Sequence, residues 1–279
     1  MIAYFNGRFL PKDEVRISPD DRGFTFADGV YEVIRSYDGS LFRAEDHASR
    51  LFRSLDELRI TWPERERFLD IAGQLLAENG LSGSGATVYL QVTRGVAPRK
   101  HPFPDEAVHP TIYGFAAPYE HDQEKWEHGV KVVTMPDLRW ARCDIKSLAL
   151  LPNLLGSQHA KEQGVEEAIL IRDGAITEGS HTSFCAVFDG RLVTHPLTNH
   201  ILGGVTRKVV LELCDQLHIP VEPFPILQSR LGDADEMMIL GTTTEVTGVV
   251  DMDGQAVGDG RPGPVTRRLH QAFRALHGT

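Results

Sequence analysis

The sequence predicts an α+β protein of two domains. Three observations carry this reading. Hairpin turns and helical periodicities are mixed along the chain instead of alternating strictly. The 279 residues exceed what one core usually needs. A polar, charged stretch separates two such mixtures, so we assign 1–118 to a first domain, 119–129 to a linker and 130–279 to a second domain.

Residues 2–10 read as a hairpin closed by Asn6-Gly7, a pair that tolerates the positive φ angles of a tight turn. Asp38-Gly39 closes a second hairpin between 30–36 and 41–43. From 44 to 60, Ala48, Leu51, Phe52, Leu55 and Leu58 recur at helical spacing, and 64–79 repeats the pattern with Phe68, Ile71, Ala72, Leu75 and Leu76. Gly80 stops that helix. Strands follow at 86–93 and 111–117, joined by a loop over 94–110 that is long for a compact domain and therefore a place to expect function. In the second half we expect strands at 130–134, 167–171, 183–188, 236–240 and 246–250, with hairpins at Asp173-Gly174 and Asp189-Gly190. Helices are expected at 153–163, at 205–217 with Val209, Leu213 and Leu217 buried, and at 265–276.

Composition excludes several classes. A formal net charge of −10 disfavours nucleic acid and anionic membrane surfaces as partners. No apolar run is long enough to span a bilayer, and the N-terminus has no secretory pattern. Cys143, Cys185 and Cys214 are odd in number and far apart, which reads as small core residues in a reducing, cytoplasmic setting. The twelve histidines lack metal-ligand spacing, so no metal is expected.

Of seven lysines, only Lys146 lies in a mostly apolar run, 143–153. Desolvation lowers the pKa of an ammonium toward a reactive amine, so Lys146 is a candidate Schiff-base former; a snorkelling lysine is the competing reading. Glu178 stands in a run of small residues, Thr177-Glu178-Gly179-Ser180-His181-Thr182-Ser183. It is either a solvated hairpin end or an acid held beside a heterocycle nitrogen. Leu202-Gly203-Gly204-Val205-Thr206-Arg207 opens a helix, and its glycines and free N–H groups suit a single phosphate. Thr242, in 241–245, could serve the same anion. Arg99 and His101 lie two apart in the long loop, a spacing that shares one face in an extended segment and makes a carboxylate receptor. Tyr31 alternates with Gly29 and Val33, as a core tyrosine or a pocket wall. Arg50 lies off its helix stripe and by itself would be called solvated.

Together these motifs resemble the fold-type IV pyridoxal-phosphate enzymes. The resemblance runs from Asp21-Arg22-Gly23-Phe24 to Glu32, through the Lys146 stretch, Thr177-Glu178-Gly179 and 204–207, to 242–245. Within that family, Gly95-Val96-Ala97-Pro98-Arg99-Lys100-His101 looks most like the D-amino acid aminotransferases. The resemblance implies pyridoxal 5'-phosphate as cofactor and Lys146, in the second domain, as its Schiff-base residue and proton carrier. It implies Glu178 at the pyridine nitrogen and Leu202 against the ring face. Arg50, Val205, Thr206 and Thr242 would hold the phosphate, and Tyr31, Arg99 and His101 the substrate carboxylate. Arg99 and His101 would reach in from the neighbouring subunit of a homodimer. The implied reaction is ping-pong transamination of D-amino acids such as D-alanine with a 2-oxo acid such as 2-oxoglutarate.

His181 departs from the serine run that follows the acid in such enzymes, which bears on substrate range. The alternatives are an (R)-amine or branched-chain L-amino acid transaminase, an aminodeoxychorismate lyase on the same fold, and a non-catalytic cofactor-binding protein.

Overall fold

The computed structural model describes residues 1–120 and 122–278. They form two units, one comprising Met1–Glu120 with Ile145–Ala149, the other 122–144 with 150–278.

The first unit is built from β1 (Ile2–Phe5), β2 (Arg8–Pro11), α1 (Arg22–Phe26), β3 (Gly29–Tyr37), β4 (Ser40–Leu41), α2 (Ala44–Glu57), α3 (Phe68–Glu78), β5 (Ala86–Thr93) and β6 (Thr111–Pro118). Its six strands make one sheet in the order β2-β1-β6-β5-β3-β4. Neighbours pair antiparallel throughout. The apolar stripes expected for the two helices are buried: Leu51 and Leu55 of α2, with Phe68, Ile71 and Leu75 of α3, join Val30, Ile34, Val88 and Leu90 of the sheet in one core.

The hairpin turns form as expected. Asn6-Gly7 and Asp38-Gly39 hold both central residues at positive φ, as do Asp173-Gly174 and Asp189-Gly190 in the second unit. The long loop after β5 turns back at Gly95, whose φ is +99°. A Cβ there would sit 1.9 Å from the His109 carbonyl oxygen, so only glycine fits.

The second unit contains α4 (Gln123–His128), β7 (Val130–Pro136), α5 (Leu151–Glu162), β8 (Glu167–Arg172), β9 (Ala175–Gly179), β10 (Ser183–Phe188), β11 (Arg191–Thr194), α6 (Val205–Gln216), β12 (Val221–Pro223), β13 (Ile226–Leu227), β14 (Glu236–Gly241), β15 (Glu245–Met252), β16 (Gln255–Ala256) and α7 (Pro264–Ala275). Nine of its strands run β12-β11-β10-β14-β15-β7-β8-β9-β13, and β16 pairs with β15. β7 is parallel to β8, because α5 carries the chain back from β7 to β8, and it is parallel to β15 on its other side. α6 and α7 pack on each other and over β14 and β15, burying Val209, Leu213, Leu269 and Phe273. Leu217, expected among the buried residues, closes α6 half-exposed, and Val210 and Cys214 fill the core instead.

The stretch 119–129, expected as an interdomain linker, carries a short helix: Asp122 accepts from the Lys125 N–H (3.4 Å) and caps α4, which buries Trp126. His121 in that stretch, and Thr279 at the end of the expected second domain, lie outside the described residues. Lys146, placed in the second domain from its sequence position, belongs to the first unit. The Tyr31 N–H donates to the Lys146 carbonyl (3.0 Å), the Leu148 N–H to the Gly29 carbonyl (2.9 Å), and Ile145 enters the first core. These backbone bonds outweigh nearness in sequence.

α7 packs on α4 through His270, whose ring centroid lies 4.9 Å from that of Trp126 and whose Nε2 has no hydrogen-bond partner. Burial first, and then the Arg274 charge, push the imidazole from 6.5 down to about 4. Between those values the unfolded chain binds a proton that the folded chain refuses, so stability is whole above about pH 6.5 and falls as pH drops toward 4. His270→Phe, which keeps the ring and removes the titration, is expected to give a shallower fall of Tm across that window, measured by thermal melts at pH 4.5 to 7.

Candidate active site

The residues singled out from the sequence fall into two groups, one in each unit. In the first, the Lys146 Nζ lies 4.3 Å from the centroid of the Tyr31 ring. Lys146 is held at both backbone ends, its N–H donating to Ser54 Oγ (3.3 Å) and its carbonyl accepting from Tyr31. Tyr31 in turn stacks on Tyr89, with ring centroids 5.8 Å apart. The side chains of Tyr31 and Lys146 are thus brought together by the seating of 145–149 on β3, a contact across more than a hundred residues of chain.

Beneath them lies a charged cluster that the sequence did not reveal. Glu32 is fully buried on β3, and Arg50 grips it with two nitrogens, Nη2 at 2.6 Å from Oε1 and Nε at 2.9 Å from Oε2. His47 Nδ1 lies 2.9 Å from the same carboxylate. Burial drives the His47 pKa down against the pull of Glu32, so the imidazole is a neutral donor here and Arg50 carries the counter-charge. Burial tends to raise Glu32, but Arg50 and then His47 hold it far below the usual carboxylate range. Arg50, read as a phosphate ligand, has this carboxylate as a firm partner. A guanidinium has more N–H donors than one carboxylate uses, so the two duties are compatible.

Arg99 and His101 are exposed and share a support: the Arg99 guanidinium lies 4.9 Å from the Phe26 ring centroid, and the His101 ring 5.5 Å. The segment is not plainly extended, since the Lys100 N–H turns back to the Pro98 carbonyl (2.8 Å), yet both side chains reach the same aromatic ring. Arg22 holds the loop from below. Almost fully buried, it pairs with Asp28 (2.7 Å) and donates to the Lys100 carbonyl (2.7 Å). Arg22 and Phe26, both on the short α1, are supporting residues to which the sequence reading gave no role. Nothing in the sequence marks Arg22 as buried against Asp28; the fold decides it.

In the second unit, Glu178 is buried near the end of β9. Leu202 donates its N–H to both carboxylate oxygens (3.3 and 3.1 Å), and Arg139 donates through Nη1. Arg139 is itself fixed by Asp137 (2.8 Å), Thr177 Oγ1 (3.2 Å) and the His200 carbonyl (3.2 Å). Burial pushes the Glu178 carboxyl up, opposed by Arg139. Arg139 was not read from the sequence, because Asp137-Leu138-Arg139 looks like an ordinary polar turn.

Gly204 caps α6 without a side-chain hydrogen bond, so the N–H groups of its first turn are not taken up by a cap. A Cβ at Gly204 would lie 2.6 Å from Ser183 Oγ, so a larger residue would have to displace that hydroxyl. Val205 and Thr206 open the helix and are buried; Thr242 lies half-buried in the turn after β14. The Thr244 carbonyl steadies that turn, accepting from Thr247 Oγ1 (2.8 Å) and Trp126 Nε1 (3.4 Å). In the second unit, anion donors at a helix start and a buried carboxylate with a fixed direction fit the phosphate and ring nitrogen of pyridoxal phosphate; in the first unit, taken by itself, a lysine beside a tyrosine fits an aldehyde. The three cysteines fit no catalytic part: burial pushes Cys143 and Cys185 up to about 11 and Cys214 to about 12.

The fold is that of a known class of enzymes. The branched-chain amino acid aminotransferase of Escherichia coli superposes with a TM-score of 0.92 and 27% identity, covering 99% of this chain and 94% of that one. A fold IV transaminase of Curtobacterium pusillum shares the fold at a TM-score of 0.84 and 22% identity, over 97% of this chain and 92% of that one. The family profile "Amino-transferase class IV" matches residues 29–252, and the chain belongs to that family. The D-alanine aminotransferase of Staphylococcus haemolyticus is 42% identical over 272 residues, 97% of this chain and 96% of the relative. That of Bacillus licheniformis is 40% identical over 274 residues, 98% of this chain and 96% of the relative.

Replacing Arg139 with methionine would leave Glu178 buried without its cation, a loss of about 3–5 kcal/mol for a buried pair. Denaturant unfolding of Arg139→Met should show that drop, and Arg139→Met combined with Glu178→Gln should recover part of it.

Proposed function

We propose that the protein is a pyridoxal-phosphate-dependent aminotransferase acting on D-amino acids such as D-alanine, with a 2-oxo acid as acceptor. The observation that carries the substrate side is the pairing of Arg99 and His101 on Phe26, a cationic, two-residue receptor of the kind a substrate carboxylate needs. The identity to D-alanine aminotransferases over nearly the full chain supports the same reading.

The bound cofactor supplies an electron sink that lets an amino acid's α-carbon give up and regain a proton. Lys146 would hold the cofactor and carry that proton; its place beside Tyr31 supports this. Glu178 would hold a proton at the ring nitrogen, and its fixed direction between Arg139 and the Leu202 N–H supports that role. Leu202 would pack on the ring. Val205, Thr206, Thr242 and Arg50 would hold the phosphate. Tyr31 would join Arg99 and His101 at the α-carboxylate. Both residues of the loop are exposed in the single chain, which supports a homodimer in which they complete the partner's site. Three free, buried cysteines agree with a cytoplasmic enzyme.

Mixing the protein, loaded with pyridoxal phosphate, with D-alanine is expected to convert the bound cofactor's visible absorbance to that of the amine form, with L-alanine inert. Lys146→Ala should lose turnover by at least about a thousandfold, as expected for the group that transfers the proton; wild-type rates in that variant would refute the mechanism.

The likeness to a branched-chain enzyme sustains one second reading, transamination of substrates held differently. Arg99→Ala separates the two. It should cut D-alanine turnover by about a hundredfold, the cost of losing a charge-assisted carboxylate contact, while sparing an (R)-amine that has no carboxylate. Equal losses on both would refute the carboxylate role.

A further inference from the structure

Glu178 sits where strand pairing alone does not fix it. β8 and β9 pair at Ile171 with Ile176 and at Ile169 with Gly179, so the register slips between them, and Thr177 and Glu178 lie in the irregular stretch. A bulge of this kind re-aims side chains and needs something else to hold its geometry. The ladder fixes one end, at Ile176. The other end is the turn formed by 179–182.

That turn is wrapped around a single carboxylate. Glu167, the first residue of β8, is fully buried. Its Oε1 accepts from the N–H of Ala168 (2.9 Å), the N–H of Ser180 (3.1 Å) and the hydroxyl of Ser180 (2.5 Å). Its Oε2 accepts from the His181 N–H (3.3 Å) and the Thr182 hydroxyl (2.9 Å), and lies 3.0 Å from His181 Nδ1. A carboxylate offers roughly four lone-pair sites, and this one is fully used. The wrapping is tight enough that a Cβ on Gly179 would sit 2.2 Å from Thr182 Oγ1 and 2.9 Å from Glu167 Oε2. The Gly179 N–H closes the turn on the Thr182 carbonyl (2.7 Å), and Asn153 Nδ2 pins the Ser180 carbonyl (2.7 Å). His181, half-exposed, roofs the carboxylate on its solvent side.

We propose that Glu167 is the positioning residue for Glu178. By clamping 180–182 it fixes the far end of the bulge and so the direction in which the Glu178 carboxylate projects. His181 completes the clamp, which gives a structural task to the residue that interrupts the serine run. The inference rests on the reading that Glu178 serves the cofactor's ring nitrogen. Burial tends to raise the Glu167 pKa, but His181, Ser180 and Thr182 bring it below the ordinary range, so the hub is ionised at neutral pH.

The test compares wild type, Glu167→Gln and Glu167→Ala, with thermal melts recorded alongside. Apoprotein is titrated with pyridoxal phosphate, the pH titration of the bound cofactor's visible band is followed, and kcat and KM for D-alanine are measured. A misaimed Glu178 is expected to shift the band's titration, weaken cofactor affinity and lower kcat by about 10- to 100-fold in Glu167→Ala. The KM for D-alanine should stay within about threefold, since the carboxylate receptor is elsewhere. Glu167→Gln can still serve the three donors on one oxygen and should fall between. A band, affinity and kcat at wild-type values in both variants would overturn the proposal, as would an equal loss in kcat and KM with an unshifted band. Should Glu167→Ala fail to fold, the double variant Ser180→Ala/Thr182→Val, which keeps the carboxylate and removes two of its hydroxyl donors, must show the same spectral shift or the proposal fails. The wild type separates the two layers. A wild type that takes up no pyridoxal phosphate refutes the functional reading and this inference with it, whereas a responsive wild type whose variants match it in band, affinity and kcat refutes positioning alone.

Discussion

An ionised carboxylate buried in a protein has to be surrounded by donors or cations, because leaving it bare costs far more than one contact returns. This chain buries several, and the loops that matter are arranged around them. Glu32 organises Arg50 and His47 beneath Lys146 and Tyr31. Asp137, with its side chain fully buried, fixes Arg139, which faces Glu178. Glu167 gathers the turn that follows β9. Glu236 receives the Val265 and Thr266 N–H groups (2.9 and 2.8 Å) and so starts α7 on β14. In each case the same polar requirement that threatens stability supplies a fixed position.

Such networks explain how long side chains are held in place. Lys146 is carried on a segment bonded to β3 by its own backbone. Glu178 is directed by a guanidinium that is itself held from three sides. Arg99 and His101 ride on a loop that turns at Gly95, rests on Phe26 and is tied to Arg22. Preorganisation of this sort spares a catalyst the cost of arranging its groups at the moment of reaction.

The local parts of the fold were legible because their causes are local. Asn6-Gly7 and Asp173-Gly174 turn the chain by tolerating positive φ, and the Leu51–Leu55 and Phe68–Leu75 periodicities show which helix faces are buried. α4 was misread because five of its six residues are polar and a lone Trp126 sets its buried side, too short a pattern to show periodicity. Arg22, Arg139 and Glu167 escaped notice for a related cause. Charged residues in sequence look like surface residues until their partners, 6, 39 and 13 residues away, are brought beside them.

The sequence by itself determined the turns, the helix faces, the family and the identity of the candidate chemical residues, since each of these depends on residue type at short spacing. The tertiary structure alone decided which unit carries Lys146, that Arg50 answers to a buried Glu32, and that Glu178 is aimed by Arg139 and by a bulge closed on Glu167. Those outcomes follow from desolvation. Whether a charge is buried, and which partner must then meet it, is a property of the folded surroundings, and no spacing along the chain encodes it.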